Sequence, residues 1–110
     1  MVNSRAKGAR NELKWAGWLK ENLGINARRG QQYCGGPDSP DVVSDLPIFW
    51  EVKAVESLNV QKAMAQAVAD CGENDTPAVA HKKNRTEWLI TIRAKDLLRF
   101  TDAIVGRNRK

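Results

Sequence analysis

Three residues in the stretch from Gly35 to Ala54, GGPDSPDVVSDLPIFWEVKA, could do chemistry together: Asp41, Glu51 and Lys53. The segment otherwise reads as buried β-strand, where charge is rarely kept without a partner. Asp41 opens one apolar run, VV, and Glu51 lies in the next, IFWEVKAV, across the tight connection SDLP. Two carboxylates on adjacent strands face the same small space, which is tolerable only with a cation between them or a proton shared. Oxygen donors with no His or Cys nearby select Mg²⁺ or Mn²⁺ over zinc. Strand alternation sends Lys53 to the same face as Glu51 and Phe49, where an ammonium can orient a water or stabilise charge on a phosphate.

A third acid comes from further upstream. The pattern from Ala6 to Leu23 predicts a helix, with Ser4 as a candidate N-cap and Gly24 as the residue beyond its C-terminus. On a helical wheel centred on Leu23, the residues Leu19, Ala16, Ala9, Leu13 and Trp15 fall within about 80°. Glu12 lies near the middle of that apolar arc, a costly place for a carboxylate unless something pairs with it. Trp18 falls outside the arc, either exposed or packed against a neighbour.

The remaining elements frame these groups. INARRGQQY (Ile25 to Tyr33) reads as a strand opening into a polar loop, and CGGPDSP as turn chemistry. A second helix starts near Ser57 or Asn59, with Val60, Met64, Ala67, Val68 and Cys71 as its apolar stripe, Gln61 flanking it and Gln66 pointing away. PAVAHKK and EWLITIR read as a hairpin, AKDLLRFTDAIVG as a last helix and RNRK as a basic tail. The order predicts an α/β domain, a mixed sheet with helices on its faces.

At 110 residues the chain makes one domain. No apolar run approaches the roughly 20 residues of a membrane span, and MVNSRAKGAR lacks the apolar core of a secretion signal. With two cysteines outside any CxxC pair and one histidine, a zinc site or disulfide framework is not expected; an intracellular, cytoplasmic protein is. The net charge of +5 is unevenly spread. Residues 1–29 hold seven bases and two acids, residues 30–81 two bases and eight acids, and residues 82–110 nine bases and three acids. An acidic centre between basic ends suits a polyanion gripped around a cation-binding core.

Together, Asp41 and the EVK of Glu51-Val52-Lys53 resemble the signature of the PD-(D/E)xK nuclease superfamily. The likeness is greatest to the short Holliday-junction resolvases of archaea and phages and to the VRR-NUC nucleases. It covers roughly residues 4–93: a basic stretch and glutamate-bearing helix (RAKGARNELKWAGWL), an Arg-rich strand (ARRG), a Gly-rich turn before PDVV, then EVK and a helix with an early glutamine, Gln61. The resemblance implies a restriction-endonuclease-like mixed β-sheet flanked by helices, spanning 1–110 with basic, flexible ends at 1–4 and 106–110. It implies that Asp41, Glu51 and the Val52 carbonyl bind Mg²⁺ (or Mn²⁺), that Glu12 joins the metal site through water, and that Lys53 positions the water or stabilises the transition state. Asp38, also within PDSPD, is the alternative ligand to Asp41. Arg5, Lys7, Arg10, Arg28 and Arg29 would contact phosphates.

Lys82, Lys83 and Arg85 form a second basic stretch beside His81, which suits phosphate contact as well as a solvated loop. Tyr33 and Trp50 could stack on bases or pack. The expected activity is that of a Mg²⁺-dependent, structure-specific DNA endonuclease from a phage or prokaryote, resolving Holliday junctions in recombination and repair and leaving 5′-phosphate ends. Cutting two symmetric strands calls for a homodimer, with Trp18 a candidate for its interface. A VRR-NUC-type flap or restriction-like nuclease is the second expectation, and a non-enzymatic nucleic-acid-binding module the third.

Overall fold

A computed structural model of the chain describes residues 4–30 and 40–106, the side chains of residues 4–8 excepted. The elements follow in the order α1 (Ser4–Leu23), β1 (Ala27–Arg29), β2 (Val42–Ser44), β3 (Ile48–Ala54), α2 (Val60–Asp70), β4 (Thr76–Lys82), β5 (Leu89–Thr91), a short 3₁₀ turn (Ala94–Asp96) and α3 (Leu97–Gly106). The five strands lie in sequence order in one mixed sheet. β1–β2, β2–β3 and β4–β5 are antiparallel, while β3 and β4 are parallel over seven residue pairs. A parallel pair needs a long crossover, and α2 supplies it. The chain is thus a mixed α/β fold with helices flanking a five-stranded sheet.

The alternation of β3 divides the core in two. Ile48, Trp50 and Val52 pack with Trp15, Ala16 and Leu19 of α1, and Phe100, Ala103 and Ile104 of α3 close over the same side. Phe49 packs on the opposite face with Ala63, Met64 and Ala67 of α2 and Val79 of β4, and Cys71 stands at the edge of that cluster. All four tryptophans meet on the α1 side. Trp18 stacks on Trp15 with ring centres 5.2 Å apart, Trp50 meets Trp15 edge-on at 5.2 Å, and Trp88 lies 5.1 Å away. Such aromatic pairs add about 0.5–1.5 kcal/mol each beyond area burial.

That cluster explains where the wheel of α1 was misplaced. The buried stripe is Glu12, Trp15, Ala16 and Leu19, whereas Leu13, expected inside, is 58% exposed, and Leu23 at the helix end is exposed too. The indoles of Trp50 and Trp88 come from the sheet side and gather on Trp15, which turns the inward face away from Leu13. Trp18, which falls outside the arc of the wheel, is half-buried and packed against Trp15.

Local chemistry sets the element ends. Gly24 takes φ +63° and its N–H donates to the Lys20 carbonyl, a left-handed cap that L side chains adopt at a cost. Ser4 is the first helical residue of α1. Asn59 caps α2, its side chain accepting from the Lys62 N–H at 3.0 Å. Gly30 is packed so closely against the Pro40 carbonyl that a Cβ there would collide with it.

Candidate metal and nucleic-acid site

The site residues gather where β2 leaves β3. Asp41 stands immediately before β2, in a bend. Its N–H donates to the Trp50 carbonyl (3.0 Å), its carbonyl accepts from the Gly30 N–H (2.9 Å), and its Oδ2 accepts from the Val52 N–H (2.9 Å). The side chain is thereby tied to the middle of the EVK tripeptide. The Val52 N–H points at Asp41 because β2 has begun to separate there, leaving the strand donor for a side chain.

Glu51 lies on the α2 side of β3 and is 5% exposed. Lys53 Nζ approaches its Oε2 at 3.6 Å from two residues along the same face. Burial, and then the charge of Asp41, push the Glu51 carboxyl up to about 7, against the opposing pull of Lys53. A carboxyl this far above its usual range, beside a second carboxylate, is half-neutral near physiological pH. It marks a place where added positive charge would be favourable.

Glu12 reaches the site from α1, and its partner is Arg29 on β1. Arg29 Nε donates to Glu12 Oε1 at 2.8 Å. Burial raises the Glu12 pKa, chiefly opposed by the Arg29 hydrogen bond, while the charge of Asp41 adds to the rise and those of Arg29 and Lys53 oppose it. Asp41 therefore acts electrostatically on both glutamates. Each acid already has a donor: Arg29 for Glu12, the Val52 N–H for Asp41 and Lys53 for Glu51. Among the described residues, no group of three His, Cys, Asp or Glu stands close enough to hold a metal ion. Two bases thus stand beside two of the three acids expected around a dication.

The residues expected to grip phosphates are spread around this point. Arg10 is exposed on α1 and Arg28 on β1, while Arg29 is committed in part to Glu12. The side chains of Arg5 and Lys7 lie outside the description, as do Tyr33, Cys34, Asp38 and the tail 107–110. Gln61 is exposed in the first turn of α2. Lys83 and Arg85 are exposed in the β4–β5 turn, and Lys82 rests its ammonium 5.6 Å from the centre of the Trp88 ring. Trp50 is buried at 1% exposure and serves packing, not base stacking. His81 stands beside Lys53 in the parallel register, and its Nε2 lies 2.8 Å from Thr91 Oγ1; burial holds it below its ordinary pKa.

Three contributors had no clear mark in the sequence. Arg29 was read only as a phosphate contact, because nothing local links it to an acid 17 residues away. Trp88 joins the tryptophan cluster from the far end of the sheet. Asp96, 2% exposed, takes an ion pair from Arg93 at 2.7 Å, and Arg99 approaches it at 3.8 Å while also donating to the carbonyls of Glu73 and Asp75. This fastens α3 to the loop after α2. An acid followed three residues later by Arg was the only sequence signal for it. Compared with models of protein families, with curated proteins and with solved structures, the chain matches none of them.

Proposed function

We propose that this protein is a metal-dependent endodeoxyribonuclease of restriction-endonuclease-like fold, acting on branched DNA and most of all on four-way junctions. The observation that carries the reading is Glu51: a buried carboxyl raised to about 7 by burial and Asp41, with Lys53 3.6 Å away on the same strand. The donor chemistry of Asp41 and Glu51, oxygen only, fits Mg²⁺ or Mn²⁺. These two residues, with the Val52 carbonyl, would hold the ion, and Glu12 would contribute through water. When bound, such an ion polarises a phosphoryl oxygen and makes its water more acidic.

The chain's own residues supply the rest. The Val52 N–H fixes the carboxylate of Asp41, so its orientation is set before substrate arrives. Lys53 presents an ammonium to the phosphate as charge develops on its oxygens. Attack by water breaks the P–O3′ bond, leaving a 3′-hydroxyl and a 5′-phosphate. Arg29, held by Glu12, stands at the site's edge as a fixed cation toward the DNA backbone. Arg10 and Arg28 on one flank and Lys82, Lys83 and Arg85 on the other give the acidic centre basic shoulders. A symmetric dimer would present two such centres to a junction.

A second reading, a nucleic-acid-binding module without catalysis, is favoured by one observation: Arg29 and Lys53 already stand beside Glu12 and Glu51. Incubating the protein with labelled four-way junction, flap and linear duplex, in Mg²⁺ and in EDTA, separates the readings. Mg²⁺-dependent cutting confined to the junction supports the resolvase, and a flap preference moves the assignment to a flap or repair nuclease. Binding without cutting under every condition supports the module.

A further inference from the structure

Beyond the acids, β3 and β4 run into two loops that enclose a groove of about 360 Å³. Val55 and Leu58 come from the β3–α2 connection, Val60 from the start of α2, and Leu89 from β5. His81, Lys82 and Lys83 line the other side, at the end of β4 and the turn beyond it. The walls are braced. The Asn84 N–H donates to the Glu56 carboxylate, joining the β4–β5 turn to the β3–α2 loop. Thr86 exchanges hydrogen bonds with the backbone of Lys83, which sets the turn that carries this lysine.

The position is informative. Lys53 and His81 are register neighbours on adjacent parallel strands, so the groove begins one strand away from the ammonium of the catalytic face. The lining combines an aliphatic floor with two cations against one acid, Glu87. Its volume lies at the small end of the roughly 300–1,000 Å³ range of small-molecule sites, enough for one nucleoside and too little for a duplex. A planar imidazole, held by Thr91, offers a flat surface against which a base can stack.

We propose that this groove receives one unstacked nucleotide of the DNA strand next to the phosphate that is cut, its base on Val55, Leu58, Val60 and Leu89 and its phosphate at Lys83. The inference rests on the nuclease reading for its place in the reaction. It makes the enzyme selective for strands whose bases are already free, as at a branch point, and adds a recognition element that does not read sequence.

The test is an amide-resolved NMR titration of the intact protein with thymidine 5′-monophosphate, thymidine and inorganic phosphate. The monophosphate is expected to give saturable shifts at Val55, Leu58, Lys83 and Leu89, with thymidine shifting the apolar subset more weakly. Val55→Trp, which fills the groove from an exposed position, and Lys83→Glu, on the exposed turn, are each expected to weaken the monophosphate about tenfold. Their own amide spectra report that they fold. No shifts at these residues, or equal shifts from phosphate alone, would overturn the proposal. Groove binding in a protein that cuts no DNA would end the nuclease reading and leave the nucleotide site standing. Junction cleavage without groove shifts would do the reverse.

Discussion

The carboxylate of Asp41 accepts the backbone N–H of Val52 at 2.9 Å, so an acid outside any strand is bonded into the middle of β3. One oxygen of Asp41 does structural work while its charge lifts the carboxyl on the residue before Val52. Substitutions at this position can separate the two tasks. Asp41→Asn keeps an acceptor for the N–H and loses the charge; its stability should stay within about 1 kcal/mol of the parent while junction cleavage is abolished and binding persists. Asp41→Ala should also lose about 1–3 kcal/mol, because the Val52 donor is left unpaired. Denaturant titration beside the cleavage assay checks both; full activity in Asp41→Asn would remove the metal assignment.

Glu51 makes stability depend on pH. Its folded pKa, about 7, lies above the ordinary 4.5, so between these values the folded protein keeps a proton that the unfolded chain has released. Stability should therefore fall as pH rises through that window and level off above it, by at most about 3 kcal/mol. Glu51→Gln removes this descent and should be more stable than the parent at pH 8. Chemical denaturation of both proteins from pH 4 to 8 measures the difference, and parallel profiles would contradict it.

An ion bound by Asp41 and Glu51 would relieve the same repulsion. Adding Mg²⁺ at pH 8 should raise the melting temperature of the parent in a concentration-dependent way, and leave that of Asp41→Asn unchanged. Equal responses would place the ion elsewhere.

Arg29 and Glu12 form a pair in which only the acid is well buried. Removing the guanidinium strands a buried carboxylate; Arg29→Ala should cost about 1–3 kcal/mol, and Glu12→Gln should recover much of that in the double variant. A double-mutant cycle read by urea unfolding shows the coupling. Strict additivity would mean that the 2.8 Å contact contributes nothing.

Asp96→Asn removes the charge that steadies Arg99, whose bonds to the Glu73 and Asp75 carbonyls hold α3 at the loop after α2. A buried acid that loses its ion pairs costs several kcal/mol when the bases stay behind, here discounted because Arg93 and Arg99 are partly solvated, to about 2 kcal/mol. Hydrogen exchange along residues 97–106 should rise in that variant more than in β3.

Much of this architecture was legible in residue order because local rules and tertiary packing agree. The start of α2 at Asn59, one of two expected starts, the left-handed Gly24 beyond α1 and the alternation of Phe49, Glu51 and Lys53 against Ile48, Trp50 and Val52 all appear in the structure. The odd placement of Glu12 on an apolar arc also pointed at a buried acid, and Glu12 is buried. What stayed hidden depends on distant pieces of chain. Leu13 was placed inside because a wheel weighs hydrophobicity alone, whereas indoles from β3 and from just before β5 decide which way α1 turns. Arg29 looked like a free base because its acid lies on another element. The meeting of three acids around one ion was expected from their types, and Lys53 beside Glu51 from strand alternation; the base standing beside Glu12 could not be read from one dimension.

The gathering of every indole around Trp15 has a consequence for anyone following this protein in solution. Emission from Trp15, Trp18, Trp50 and Trp88 reports a single event, the docking of α1 and α3 on their side of the sheet. The layer beneath α2 has no such chromophore. If α2 loosens while α1 stays docked, a fluorescence melt will record an intact protein, and the half of the molecule that backs Glu51 will have come apart unobserved.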